Sequence, residues 1–134
     1  MKKLLLILIV ASMFLLQSCG LTNKCVIVKE SGEQIEIMLD NFKGKEKIKI
    51  QHTNSAECSL YYKTDITEGS ITVSYNEGIL SNTHQLFTAA TGADANSGVY
   101  IDSSTKTVTI IIEASESACG KIVFAFSSTS SPFK

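Results

Sequence analysis

The chain has 134 residues, with 12 lysines, no arginine, 13 acidic residues and a formal net charge of −1. Without guanidinium forks to read phosphates and guanines, and without a basic surface, nucleic acid is excluded as an expected partner. The length suffices for one domain of ordinary size with its own core.

Met1-Lys2-Lys3 opens the chain, and residues 4–16 are apolar except for Ser12. A run of about 13 apolar residues falls short of the ~20 that a spanning helix needs, so residues 1–18 are expected to be a cleaved secretion signal. The run ends in Leu16-Gln17-Ser18-Cys19. This stretch resembles the lipobox of bacterial lipoproteins, departing at Gln17, where that family often has a small residue. The resemblance implies a thioether from the Cys19 thiol to diacylglycerol, with residues 19–24 as a lipidated tether. It also implies a domain held on the extracytoplasmic side of a membrane. Gly20 follows the cysteine where an Asp would retain the protein at the inner membrane. The expected location is therefore the outer membrane in a Gram-negative host, or the outer face of the plasma membrane in a Gram-positive one.

Dropping Lys2 and Lys3 leaves ten lysines against 13 acids. Residues 24–63 carry seven lysines and six acids, while 64–134 carry three lysines and seven acids, which suggests two differently charged solvent faces. Residues 25–30 (CVIVKE) read as a strand, followed by a Ser31-Gly32 turn. Residues 33–39 alternate, with Ile35, Ile37 and Leu39 on one face, and residues 40–44 are expected to turn the chain. Residues 46–52 alternate again, with Ile48 and Ile50 inward. After a break at 54–57, residues 58–63 place Cys58, Leu60 and Tyr62 on one side. A turn at 65–69 leads to a strand with Ile71, Val73 and Tyr75 inward. Residues 79–91 suit a strand better than a helix. Residues 92–98 (GADANSG) read as a loop. Residues 99–102 and 106–114 are expected to form a hairpin about 103–105, with Val108, Ile110 and Ile112 inward. Ile111 interrupts the polar face there, so that strand should be central or covered on both sides. Residues 116–120 turn, Ile122, Phe124 and Phe126 close the domain, and the Ser-rich 128–134 is a flexible tail.

Roughly eight or nine short strands without a long helix indicate an all-β antiparallel sandwich, Ig-like or jelly-roll-like, over residues 25–127. The segments YYKTDITEGSITVSYNEG and GVYIDSSTKTVTIIIEAS resemble those of small β-sandwich lipoproteins of Gram-positive bacteria. That resemblance implies location and fold and brings no activity with it.

With Cys19 lipidated, Cys25, Cys58 and Cys119 remain. Three pairings are open to them. Cys58 with Cys119 is favoured because Cys25 lies near the tether, and reduced thiols are an equal alternative in an anaerobic host. Closing a loop of about 60 residues would contribute roughly 4 kcal/mol. No Cys or His pair has zinc-ligand spacing. His52 and His84 are isolated, and no G-x-S-x-G elbow appears, so no catalytic residue is assigned. Asp94-Ala95-Asn96-Ser97-Gly98 resembles the start of a calcium loop, yet the twelfth position is Thr105 rather than a carboxylate. No metal or cofactor is expected. Tyr61 and Tyr100 fall opposite the inward Leu60 and Ile101, which makes them candidate ligand contacts. The leading expectation is a non-enzymatic binding or interaction module of the cell envelope, anchored in the membrane and facing a protein or glycan ligand. The alternatives are a small inhibitor or stress protein acting through the 92–98 loop and, behind it, a small hydrolase.

Overall fold

The computed structural model describes residues 26–31, 34–51, 58–78, 82–101 and 107–133. The signal, the lipobox with Cys19, the tether, Cys25, His52 and the 103–105 turn lie outside the described residues. Among those described there are seven strands: β1 (Val26–Ser31), β2 (Gln34–Gln51), β3 (Cys58–Glu68), β4 (Ser70–Asn76), β5 (His84–Ala90), β6 (Asn96–Ile101) and β7 (Thr107–Ser127). All pairings are antiparallel.

The architecture follows from two long strands that each serve both layers. The first half of β2 pairs with β1 and with the second half of β7, and β3 and β6 complete that layer in the order β1-β2-β7-β3-β6. The second half of β2 pairs with the first half of β7, which continues to β4 and β5. The protein is thus one antiparallel sheet folded over on itself, a β-sandwich whose two layers share β2 and β7.

The fold line crosses β2, β7 and the connection from β3 to β4. In β2 it falls at the register shifts between Leu39, Phe42 and Gly44. Asn41 adopts φ 51° there, a left-handed conformation that Asn tolerates better than most residues. Gly69 (φ 74°) carries the chain from β3 in one layer to β4 in the other, and a Cβ there would overlap the Ser117 carbonyl oxygen. In β7 the line runs through residues 114–120, ending at Gly120, where a Cβ would strike the Asp65 carbonyl and approach Ile66 Cα to 2.8 Å. The β2 and β7 corners are laced together. The Asn41 backbone N–H donates to Cys119 Sγ at 3.3 Å, and the Ser117 hydroxyl donates to Asn41 Oδ1 at 3.3 Å. Phe42 is fully buried beneath them.

Several sequence-based boundaries are therefore corrected. Residues 40–44 and 116–120 do not end strands; the chain bends and stays paired, so two predicted pairs of strands merge and the count falls to seven. The hairpin expected over 99–114 is absent, because β6 pairs with β3 and β7 starts in the other layer. The predicted faces hold throughout. Ile35, Ile37, Leu39, Ile50, Cys58, Leu60, Tyr62, Ile71, Val73, Val108, Ile110, Ile112, Ile122, Phe124 and Phe126 form one continuous core. Tyr62 of one layer stacks on Phe87 of the other, with ring centroids 4.5 Å apart. Ile111 is buried, as expected for the central strand β7, although it points away from that core. One residue of the Ser-rich tail touches the domain: the Tyr61 hydroxyl donates to the Thr129 carbonyl at 3.3 Å.

Candidate functional site

Alternation along β3 sends Cys58, Leu60, Tyr62, Thr64 and Ile66 inward and leaves Tyr61, Lys63 and Asp65 on the outer face of the five-stranded layer. Register places Lys63 opposite Val123 and Asp65 opposite Lys121 on β7. These four side chains, with Thr64, line a surface depression of about 230 Å³. Glu36 on β2 lies beyond Val123 in the same row. The site thus offers two ammonium groups, one carboxylate and an apolar valine floor, with a second carboxylate beside it. Its volume is below the roughly 300–1,000 Å³ of pockets that enclose a drug-sized ligand. It would receive one small polar group at a time.

Tyr61 and Tyr100 both lie on this outer face. Tyr61 faces Gly98 across the β3–β6 pair, and Tyr100 is two residues further along β6. They are diagonal cross-strand neighbours, roughly 7–8 Å apart at the backbone. Their states differ. The Tyr61 ring lies against Gly98, so that a Cβ at position 98 would sit 2.5 Å from its Cδ1. With its hydroxyl tied to Thr129, Tyr61 serves first to cover the glycine of an edge strand. Ala125, which neighbours Tyr61 on the same face, is buried apart from the main core. Tyr100 is 57% exposed. Of the two predicted contacts, it is the one that presents its ring to solvent.

The expected loop at 92–98 is shorter than the sequence suggests. Asn96 already belongs to β6, and residues 91–95 turn tightly through a pairing of Ala90 with Ala93. Asp94 supplies no calcium ligand set. Its Oδ1 accepts the Ile66 N–H at 3.0 Å and the Thr64 hydroxyl at 3.3 Å. Ala95 N–H donates to Thr64 Oγ1 at 2.8 Å, and Thr64 N–H donates to the Ala95 carbonyl at 2.9 Å. Asp94 therefore caps the edge of β3 where β6 runs out. Thr64, a buried polar side chain in this core, is fully engaged.

The proposed Cys58–Cys119 disulfide is overturned by register. Cys58 sits at one end of β3, while Cys119 pairs with Glu68 at the other. Ten residues of strand put about 30 Å between them, against a limit near 7 Å for Cα atoms of a bridge. Cys119 is a partly exposed free thiol beside Asn41, and Cys58 is buried. His84 packs against the Tyr75 ring, with centroids 5.7 Å apart. Burial, and secondarily the charge of Glu77, raises the Tyr75 hydroxyl above the ordinary tyrosine pKa. Among the described residues, no group of three or more His, Cys, Asp or Glu side chains could hold a metal ion. The lysine–aspartate depression was missed by sequence reasoning, since its four residues come from two strands that are distant in the chain. The only available signal was their common outward phase.

No protein-family model matches the chain, and no curated protein matches it. Among solved structures it is similar to one described as CBM4 structure and function, with TM-score 0.37 and 14% identity, covering 81% of this chain and 79% of that one. It is also similar to the Drosophila melanogaster CENP-C cupin domain, with TM-score 0.37 and 13% identity, covering 76% and 75%. A dTDP-4-dehydrorhamnose 3,5-epimerase from Sulfolobus tokodaii follows at TM-score 0.22 and 9% identity, covering 79% and 77%. Likenesses this distant say nothing about a ligand. The all-β antiparallel sandwich stands on the strand pairing itself.

Proposed function

We propose that the chain is a lipid-anchored extracytoplasmic protein whose β-sandwich is a non-enzymatic binding module, engaging its ligand on the outer face of the five-stranded layer. The observation that carries the reading is the convergence of Lys63, Asp65, Lys121 and Val123 around one depression. Exposed Tyr100 lies on the same face, toward the β6 edge. Ammonium and carboxylate groups around an apolar floor suit the hydroxyls of a sugar residue or the polar side chain of a peptide. The anchoring half of the reading rests on Leu16-Gln17-Ser18-Cys19.

Two measurements test the two halves. The full chain expressed in a bacterial host should carry diacylglycerol on Cys19 by intact mass, and Cys19→Ala should release it from the membrane fraction. The detergent-solubilised protein should retain envelope glycan or peptide fragments on a column, and a Lys63→Ala/Lys121→Ala variant should lose that retention while keeping its melting temperature. Turnover of an ester or glycoside substrate that vanished with His84→Ala would sink the non-enzymatic reading.

A further inference from the structure

One flank of the folded sheet carries no partner strand in either layer among the described residues. In the five-stranded layer the edge strand is β1; in the other it is the second half of β2, which has β7 on one side only. Among the described residues no strand of the four-stranded layer matches β1, so β1 overhangs. Val28 opposes the fully buried Ile37 yet is 41% exposed, and its outer-face neighbours Ile27 and Met38 are 47% and 38% exposed. Along the β2 edge of the other layer runs a stripe of exposed lysines: Lys43, Lys45, Lys47 and Lys49. Lys45 pairs with Glu113 at 2.7 Å. Glu46, within the stripe, is half-buried, and the exposed carboxylates of this flank, Glu30 and Asp40, stand away from it toward either end of β1.

The chain reaches this flank from Cys19. Val26 opens β1 beside Leu39, next to the fold line. The seven residues from Cys19 to Val26 span at most about 24 Å even when fully extended.

We infer that this flank is the membrane-apposed surface of the tethered domain, an inference that rests on lipid attachment at Cys19. Ile27, Val28 and Met38 rest at the acyl boundary of a bilayer, and the lysine stripe meets its anionic headgroups. Ile27 and Met38 project from the outer face of one layer and the lysines from that of the other, on the two sides of this flank, and the long lysine stems let the ammonium reach the headgroup level of a lipid interface. Each lysine near an anionic surface raises partitioning roughly fivefold. Three exposed side chains are too few to hold a soluble domain alone; with the tether they orient one already held. The orientation turns the opposite edge, with β6 and Tyr100, away from the membrane; Met38 pairs with Lys121 on the same outer face, so the Lys63–Asp65–Lys121 depression lies between the membrane margin and Tyr100.

The chain has no tryptophan, so a single introduced indole reports depth without background. The full lipidated protein, its Cys19 modification verified by mass, is reconstituted into phosphatidylglycerol vesicles containing brominated acyl chains. In Ile27→Trp, with Met38→Trp as a second reporter, emission should shift to the blue and lose most of its intensity. In Tyr100→Trp it should stay at the solvent position and unquenched. A Lys43→Gln/Lys47→Gln/Lys49→Gln background should return the Ile27→Trp emission toward the solvent value, as should high salt. If lipidated Ile27→Trp and Met38→Trp are no better quenched than Tyr100→Trp, the surface is refuted while the anchor stands. Equal quenching in phosphatidylcholine vesicles would refute the part given to the lysine stripe. A chain with no lipid on Cys19 sinks the anchor, and this surface with it.

Discussion

Asp94→Ala gives the most direct test of how the β3 edge is closed. In the native protein Asp94 Oδ1 accepts the Ile66 N–H at 3.0 Å and the Thr64 hydroxyl at 3.3 Å. Ile66 is 3% exposed, so its amide has no ready access to water once the carboxylate is gone. An orphaned buried donor costs about 1–3 kcal/mol. The Thr64 hydroxyl keeps its bond from Ala95 N–H, so its added loss is small and the total should be about 2 kcal/mol. For a domain of this size each kcal/mol lowers the melting temperature by roughly 4–8 °C, which predicts a fall on the order of 10 °C. Asp94→Asn keeps an oxygen acceptor in place and should lose less than half as much. Thermal melts followed by circular dichroism measure both, and hydrogen exchange at the Ile66 amide locates the effect. A melting temperature unchanged by Asp94→Ala, or an Ile66 amide as protected as before, would refute the capping argument.

Other outcomes follow from the same geometry. Gly120→Ala combines a positive-φ backbone with overlap against Asp65 and Ile66; it should cost about 3 kcal/mol or more, seen as a large drop in the urea midpoint. Tyr61→Phe removes the hydroxyl that holds Thr129; stability should fall by about 0.5–1 kcal/mol, with faster exchange confined to residues 128–133. Tyr75 should ionise above the ordinary tyrosine value in an absorbance titration, and Glu77→Gln should remove the smaller part of that shift, since burial is the larger cause. Because the folded-state pKa is the raised one, this contribution is complete below about pH 10 and declines as pH rises toward the folded value. A non-reduced digest should contain no peptide linking Cys58 to Cys119.

The faces of the strands were legible because period two needs only local sequence. Ile71, Val73 and Tyr75 all proved buried, as did Val108, Ile110 and Ile112. The corners were not legible as corners. Asp40-Asn41 with Gly44, and Ser117 to Gly120, are turn residues by chemistry, and a strand bending between layers needs the same left-handed or Cβ-free positions as a hairpin. Only the register of β2 against β7 separates the two cases. Pairing misled at residues 99–114 for a related reason, since β6 and β7 are neighbours in sequence and lie in different layers. At the candidate site, outward phase picked out Tyr61 and Tyr100. The contact of Tyr61 with Gly98 and Thr129 involves residues 37 and 68 positions away, which no short-range pattern reveals.

The position of β7 has a consequence for how the chain comes to be folded. It is the last of the described strands in sequence and an interior one in both layers: Gln34 pairs with Ala125, Ser59 with Ser127 and Thr72 with Glu113. Until residue 127 is available, β1 with β2, β3 with β6 and β4 with β5 are isolated two-stranded ribbons, which are marginal in water. The ladder that joins them spans about 90 residues of sequence, so loop closure comes late and folding should be slow. A nascent chain of this design stays open until β7 has emerged, because every ladder that joins the three ribbons runs through that strand.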